Sequence, residues 1–88
     1  MALVNNNCNM GLAYFELSEY NEAINSLQTA LNLDPRCSYA LMNLALVHKK
    51  QGNIDKALGF LQEIVTKIDP KDSAAIVNIG NIYAEQGK

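Results

Sequence analysis

The chain is 88 residues long, carries a formal net charge of −2 and is close to half apolar. That length fits one small domain with a modest core. The slightly acidic balance, with basic residues scattered and only Lys49-Lys50 adjacent, excludes the basic footprint on which nucleic-acid affinity depends.

Helical periodicity predicts five segments. The first covers about 2–17 and carries Met10, Gly11 and Tyr14 on one stripe. The second, about 22–33, repeats Ala23, Ile24, Leu27, Ala30 and Leu31 at the spacing of an apolar helical face. It stops at Asp34-Pro35, because proline disfavours helix in the residue before it. The third, about 38–51, carries Leu41, Leu44, Ala45 and His48. The fourth, about 56–67, carries Ala57, Leu58, Leu61, Ile64, Val65 and Ile68 and ends at Asp69-Pro70. The fifth, about 73–86, carries Ile76, Ile79, Gly80 and Tyr83. Gly52 and Gly87 stand where a left-handed residue closes the third and fifth helices, and Ser18 fills the matching place after the first as a poorer terminator. Asn21, Asp55, and Asp72 or Ser73 are the expected N-caps of the second, fourth and fifth helices. Connections this short make neighbouring helices antiparallel, and no strand pattern competes.

Elsewhere the chain offers little punctuation of other kinds. No apolar run is long enough to span a bilayer. The stretch from Met1 to Asn9, polar after Val4, lacks the basic and apolar segments of a signal peptide. Cys8 and Cys37 form neither a disulfide framework nor a zinc-ligand pattern. They read as small, semi-buried, reduced side chains, and a cytoplasmic, reducing compartment fits best.

One phrase recurs: Asn9-Met10-Gly11 with Tyr14, Asn43-Leu44-Ala45 with His48, and Asn78-Ile79-Gly80 with Tyr83, the small residues 34 and then 35 positions apart. A period near 34 is that of a stacked helix-turn-helix repeat. With Ala23, Leu27, Ala30 and Pro35 completing the first unit, and Gly52, Ala57, Leu61, Ile64 and Pro70 the second, the chain closely resembles the tetratricopeptide repeat (TPR) family over its whole length. The resemblance implies an all-α solenoid of antiparallel helix pairs, five helices in a right-handed superhelical array. Repeat 1 falls at about 4–37, repeat 2 at about 38–72 and a half repeat at about 73–88, the whole reading as a segment of a longer array, with an intact small protein as the alternative. The small residues Gly11, Ala45 and Gly80 fit close helix crossings, where a bulky side chain would push the axes past 8–10 Å. Three departures stand out. Asn7 replaces a large aromatic, which predicts a loosely packed N-terminal edge. Leu61 to Pro70 is one residue longer than Leu27 to Pro35, so the fourth helix or its turn absorbs an extra residue. Ile64 stands where a small residue is usual, which predicts a wider junction between the second and third repeats.

No catalytic constellation, phosphate loop or metal-ligand spacing is present, and no cofactor is implied. His48 occupies the place of Tyr14 and Tyr83 and reads as a core residue. The function expected is therefore noncatalytic protein–protein interaction, with a peptide or protein partner and neither nucleic acid nor membrane. Asn9, Asn43 and Asn78 each precede the small residue by two and point away from the buried stripe. In the family the inner helices line a concave surface, where the resemblance places peptide binding, and asparagine-lined grooves occur in its peptide-glycosylating enzymes. A primary amide pairs with both C=O and N–H of an extended backbone, so the three make a candidate backbone-reading ladder. Leu12, Tyr39, Met42, Leu46 and Asn81 are expected beside it, together with Cys8. Shared ancestry without a ligand explains the asparagines equally well. The carboxylate clamp of chaperone-binding members is matched only at Asn43; its other positions hold Cys8, Leu12, Ala74 and Asn78, none cationic, and a carboxylate gains little without a charged donor. The alternative function is structural: a scaffold or assembly segment of a larger array, or a unit that self-associates through an unpaired C-terminal helix.

Overall fold

The computed structural model describes residues 2–87, so the readings that involve Met1 and Lys88 lie outside it. The described residues contain five α-helices and no strand: α1 (Ala2–Glu16), α2 (Tyr20–Leu33), α3 (Ser38–Lys50), α4 (Ile54–Glu63), continued by a π-helical turn (Ile64–Ile68), and α5 (Ser73–Glu85). The Cα trace measures 38 × 27 × 16 Å. The short dimension accommodates two layers of helices at a normal crossing distance of about 8–10 Å. Successive helices pack on one another and α1 also touches α3, while the Lys49–Glu85 ion pair and the Asn78–Met42 contact join α5 to α3, so the odd-numbered helices share a layer. The all-α, solenoid-like expectation holds.

The turns explain where the helices begin and end. After α1, the Ser18 N–H donates to Phe15 O (3.0 Å) and the Glu19 N–H to Tyr14 O (2.8 Å). After α3, the Gly52 N–H donates to Lys49 O (3.0 Å) and the Asn53 N–H to His48 O (2.8 Å). This pair of bonds is the Schellman closure, and it requires a left-handed residue: Ser18 has φ 62° and Gly52 φ 84°. A side chain in that region costs roughly 1 kcal/mol that glycine avoids. Because each closure ends at Glu19 or Asn53, the next helix starts immediately, at Tyr20 or Ile54. Asn21 and Asp55 therefore lie inside the first turns and are not the N-caps expected of them; the residues in the cap positions, Glu19 and Asn53, make no side-chain cap bond. Tyr20 instead packs its ring on Phe15, centroids 5.9 Å apart.

The other two connections share a different device. Asp34 Oδ1 accepts from the Arg36 N–H (3.1 Å), and Asp69 Oδ1 from the Lys71 N–H (3.0 Å), each carboxylate holding its Asp-Pro turn. Asp72 then caps α5 by accepting from the Ala75 N–H (3.0 Å), as expected. The two turns differ at the helix they close. The Asp34 N–H donates four residues back to Ala30 O, whereas the Asp69 N–H donates five residues back to Ile64 O at 2.8 Å. The extra residue of the second repeat is thus taken up as one wide turn, beginning at Ile64, which is fully buried. A π turn carries more residues per revolution, which is how the chain fits a bulky side chain and an added residue in one place.

The core joins Leu27, Leu41, Leu44, Leu61, Ile64, Val47 and Ile82 with the alanines between them. The repeats bury different subsets of equivalent positions. Ala40 and Val47 on α3 match Ala75 and Ile82 on α5, and all four are buried. Leu41, Leu44, Ala45 and His48 are buried as well, but their counterparts Ile76, Ile79, Gly80 and Tyr83 are half-buried or exposed, with Ile76 at 50% against 1% for Leu41. The first set faces the preceding repeat; the second faces the helix that would complete the same repeat, and no described residue supplies it for α5. Met10 is exposed too, so the apolar stripe of α1 runs through Cys8, Gly11 and Tyr14 and excludes Met10.

Gly11 and Gly80 therefore differ although the repeat equates them. A Cβ added at Gly11 would lie 2.5 Å from Leu27 Cγ, whereas at Gly80 nothing stands within 4 Å. Gly80 does not lie at a close crossing as its repeat position predicts. Gly11→Ala is expected to destabilise the fold by about 1–2 kcal/mol, overpacking outweighing the gain in helix propensity. Gly80→Ala is expected to stabilise it by up to about 1 kcal/mol. Denaturant melts of both variants test the contrast, and equal effects would contradict it.

Candidate functional site

The sequence-derived site lies on α1, α3 and α5, and the structure separates its residues by environment. Asn9 is exposed on α1 and Asn81 on α5. Asn78 is half-buried and already engaged: its Nδ2 donates to Ala74 O (2.8 Å) and to Met42 Sδ (3.4 Å). Asn43 is only 6% exposed, and its Nδ2 is buried without a hydrogen-bond partner among the described residues. The three amides are equivalent in the repeat and unequal in the fold. Asn43 in particular does not point clear of the buried residues as expected. The cause is position in the stack: α3 is flanked by α1 on one side and tied to α5 on the other by the Asn78–Met42 contact and the Lys49–Glu85 ion pair (3.1 Å).

Tyr39 and Met42 come together with Ser38, Asp72 and Ala74 around an open cavity of about 220 Å³, where α3 meets the start of α5. Tyr39 is exposed and Met42 half-buried, so this is the part of the site with an accessible apolar floor. Leu12 and Leu46 are half-buried on α1 and α3 and contribute no wall to that cavity. Cys8, expected on the same face, is in the core.

A second concavity lies outside the expected site. Ile24 and Gln28 of α2, His48 of α3 and Lys56, Gly59, Phe60 and Glu63 of α4 surround about 540 Å³ on the opposite layer. The signal available in sequence was Gly59, whose missing side chain leaves open space, beside Phe60, an aromatic residue outside the main apolar stripe. His48 stacks on Phe60 there, centroids 5.5 Å apart and planes at 16°.

No group of three or more His, Cys, Asp or Glu residues that could hold a metal occurs among the described residues, and no described helix is long and apolar enough to cross a membrane.

Comparison with known proteins is consistent with this architecture. A TPR repeat profile matches residues 11–52 and a tetratricopeptide repeat profile matches residues 39–71. The chain belongs to the tetratricopeptide repeat family. Among curated relatives it is similar to the photosystem I assembly protein Ycf3 of Rippkaea orientalis, 37% identical over 80% of this chain and 42% of that protein. It also resembles the BBSome complex member BBS4 of Mus musculus, 29% identical over 88% of this chain and 14% of that protein. Transcription factor tau subunit sfc4 of Schizosaccharomyces pombe is 42% identical over 68% of this chain and 6% of that protein. The chain thus spans less than half the length of these relatives. TPR repeats are generally protein–protein interaction modules.

Within the TPR repeat, His48 is the substituted member of a position otherwise held by Tyr14 and Tyr83. Its burial, and then the positive charge of Lys56, lower its pKa below the ordinary 6.5. The folded chain therefore binds the proton less readily than the unfolded one, and stability is full above about pH 6.5 and declines as pH falls below it. His48→Tyr, placing at this site the residue its neighbours carry, is expected to remove that part of the loss. The difference in melting temperature between pH 7 and pH 5.5 measures it, and an equal acid-side drop in both proteins would contradict the assignment.

Proposed function

We propose that this chain is a noncatalytic protein–protein interaction module that receives an extended peptide or a helix of a partner along the layer formed by α1, α3 and α5. The observation that carries the reading is the buried Asn43 Nδ2 without a partner. Buried donors are nearly always paired, and an unpaired one costs roughly 1–3 kcal/mol. A carbonyl of a ligand drawn against α3 would give the amide its bond after a rotation of the side chain. Tyr39 and Met42, lining the adjacent cavity, would supply apolar contact, with Leu12 and Leu46 farther along. Asn9 and Asn81, both exposed, extend the polar face, while Asn78 serves chiefly to join α5 to α3. The noncatalytic reading takes His48 as a packing residue, since its ring is stacked on Phe60 with Nδ1 buried. A cytoplasmic setting, and a place as one segment of a longer array, complete the reading.

Asn43→Ala is expected to weaken binding of a responsive peptide by about 1–3 kcal/mol and to leave helicity and melting unchanged or slightly improved, since an unpaired buried amide is lost. Peptide-array titration of both proteins checks this, and unchanged affinity removes Asn43 from the site.

A second reading, assembly in place of transient binding, is favoured by α5. Ile76, Val77 and Tyr83 are exposed and Gly80 is open, so this helix presents an uncovered apolar flank. Self-association through it would cover that surface. Light scattering across a concentration series, with Ile76→Asp as control, is expected to show a dimer that the substitution abolishes; a strict monomer at high concentration rules this reading out.

A further inference from the structure

The two cysteines play no part in the proposed binding face, yet the fold brings them together. Cys8 lies on α1 in the core, 1% exposed, and Cys37 is half-buried in the turn directly preceding α3. Their sulfurs are 3.9 Å apart across 29 residues of sequence. A disulfide requires an S–S distance of about 2.0 Å, so the sulfurs need to close by roughly 1.9 Å. The turn carrying Cys37 is exposed at Pro35 and Arg36; the Cys37 N–H donates to Asp34 O, the Arg36 N–H to Asp34 Oδ1, and the Cys37 carbonyl accepts from the Leu41 N–H as α3 begins. Closing the sulfurs to bonding distance would take side-chain rotation at Cys37 and a small shift of this turn, with α1 left packed on α2.

We propose that Cys8 and Cys37 are a redox modification site, joined in an intramolecular disulfide that staples α1 to the start of α3. A low-molecular-weight disulfide such as oxidised glutathione is the class of oxidant. The Cys37 thiolate attacks one sulfur of the oxidant, whose S–S bond breaks; one thiol leaves, and a mixed disulfide remains on Cys37. The Cys8 sulfur then attacks Cys37 Sγ, breaking the mixed disulfide, and the Cys8 proton passes to the departing thiolate, which leaves as the second thiol. Two protein thiols lose two electrons and two protons, and the oxidant is reduced to two thiols.

The order of the steps follows from the surroundings of each sulfur. Cys37 is the one an external reagent can reach. Burial, followed by the neighbouring Cys37 and Asp34, pushes the Cys8 thiol up to about 11, so at neutral pH it remains protonated and does not begin the reaction. Once Cys37 carries the mixed disulfide, Cys8 has its target already in contact. The staple would fix the spacing of α1 and α3, the helices that bear Asn9 and Asn43, and so act on the receptive face. The covalent step itself is independent of whether that face binds peptide.

Incubation of the folded chain with oxidised glutathione, followed by intact mass and peptide mapping under non-reducing conditions, tests this. The expected result is a loss of about 2 Da with both thiols consumed, a Cys8–Cys37 linked peptide, and a melting temperature raised by roughly 10 °C or more. Cys8→Ser is expected to stop at a stable glutathione adduct on Cys37. Should Cys8→Ser fail to fold, Cys37→Ser provides the second arm: Cys8 should take up no glutathione in the folded state. A persistent adduct on Cys37 in the unsubstituted chain, a disulfide-linked dimer, or no modification at all would overturn the proposal.

Discussion

Leu27 lying against the bare backbone of Gly11 is the constraint on which the remainder of this molecule rests. It sets how near α1 and α2 lie, and that nearness decides where the short turns must deliver the next helix. Ala45 and Leu61 occupy the same places one repeat later and are both buried, so the pairing is reproduced without glycine. The core that results is thin, a single seam of leucine, isoleucine, valine and alanine between two layers of helix. In a stack of this kind each unit leans only on its neighbours. What a given residue experiences is therefore decided by its place along the stack as much as by its place within the repeat.

That distinction separates what can be read from the chain from what cannot. The helices, the Asp-Pro stops and the left-handed closures at Gly52 and Gly87 are local, set by propensity, proline and the tolerance of glycine for positive φ. They are legible because the residues that cause them are the residues that show them. The one-residue excess between Leu61 and Pro70 was visible as a count, and its form as a π turn at Ile64 was not, since that depends on which side chain the neighbouring helices enclose. The helix starts at Tyr20 and Ile54 were hidden for a related reason. Good capping residues followed them at Asn21 and Asp55, yet the closure of the preceding helix had already determined where the backbone turns.

The candidate site is less legible than the fold. Periodicity places three asparagines on one layer, and it cannot tell that Asn43 is enclosed, Asn78 is bonded to Met42 and Ala74, and Asn9 is open to solvent. Burial of Asn43 is a tertiary fact, created by helices on both sides of α3. The same holds for the contact of Cys8 with Cys37, whose sequence separation of 29 residues carries no hint of it. Chemistry at a site of this kind arises from unequal use of equal residues, and only the packed arrangement displays the inequality.

The π turn carries a further meaning. Although the second repeat is a residue longer, Ala75 and Ile82 are as fully enclosed as Ala40 and Val47, so α5 arrives in phase with α3. The surplus is dissipated within one revolution of backbone and is not passed down the chain. A repeat array built this way is insulated against changes in the length of its units: an insertion at the end of an outer helix alters local pitch and leaves the superhelix uninterrupted.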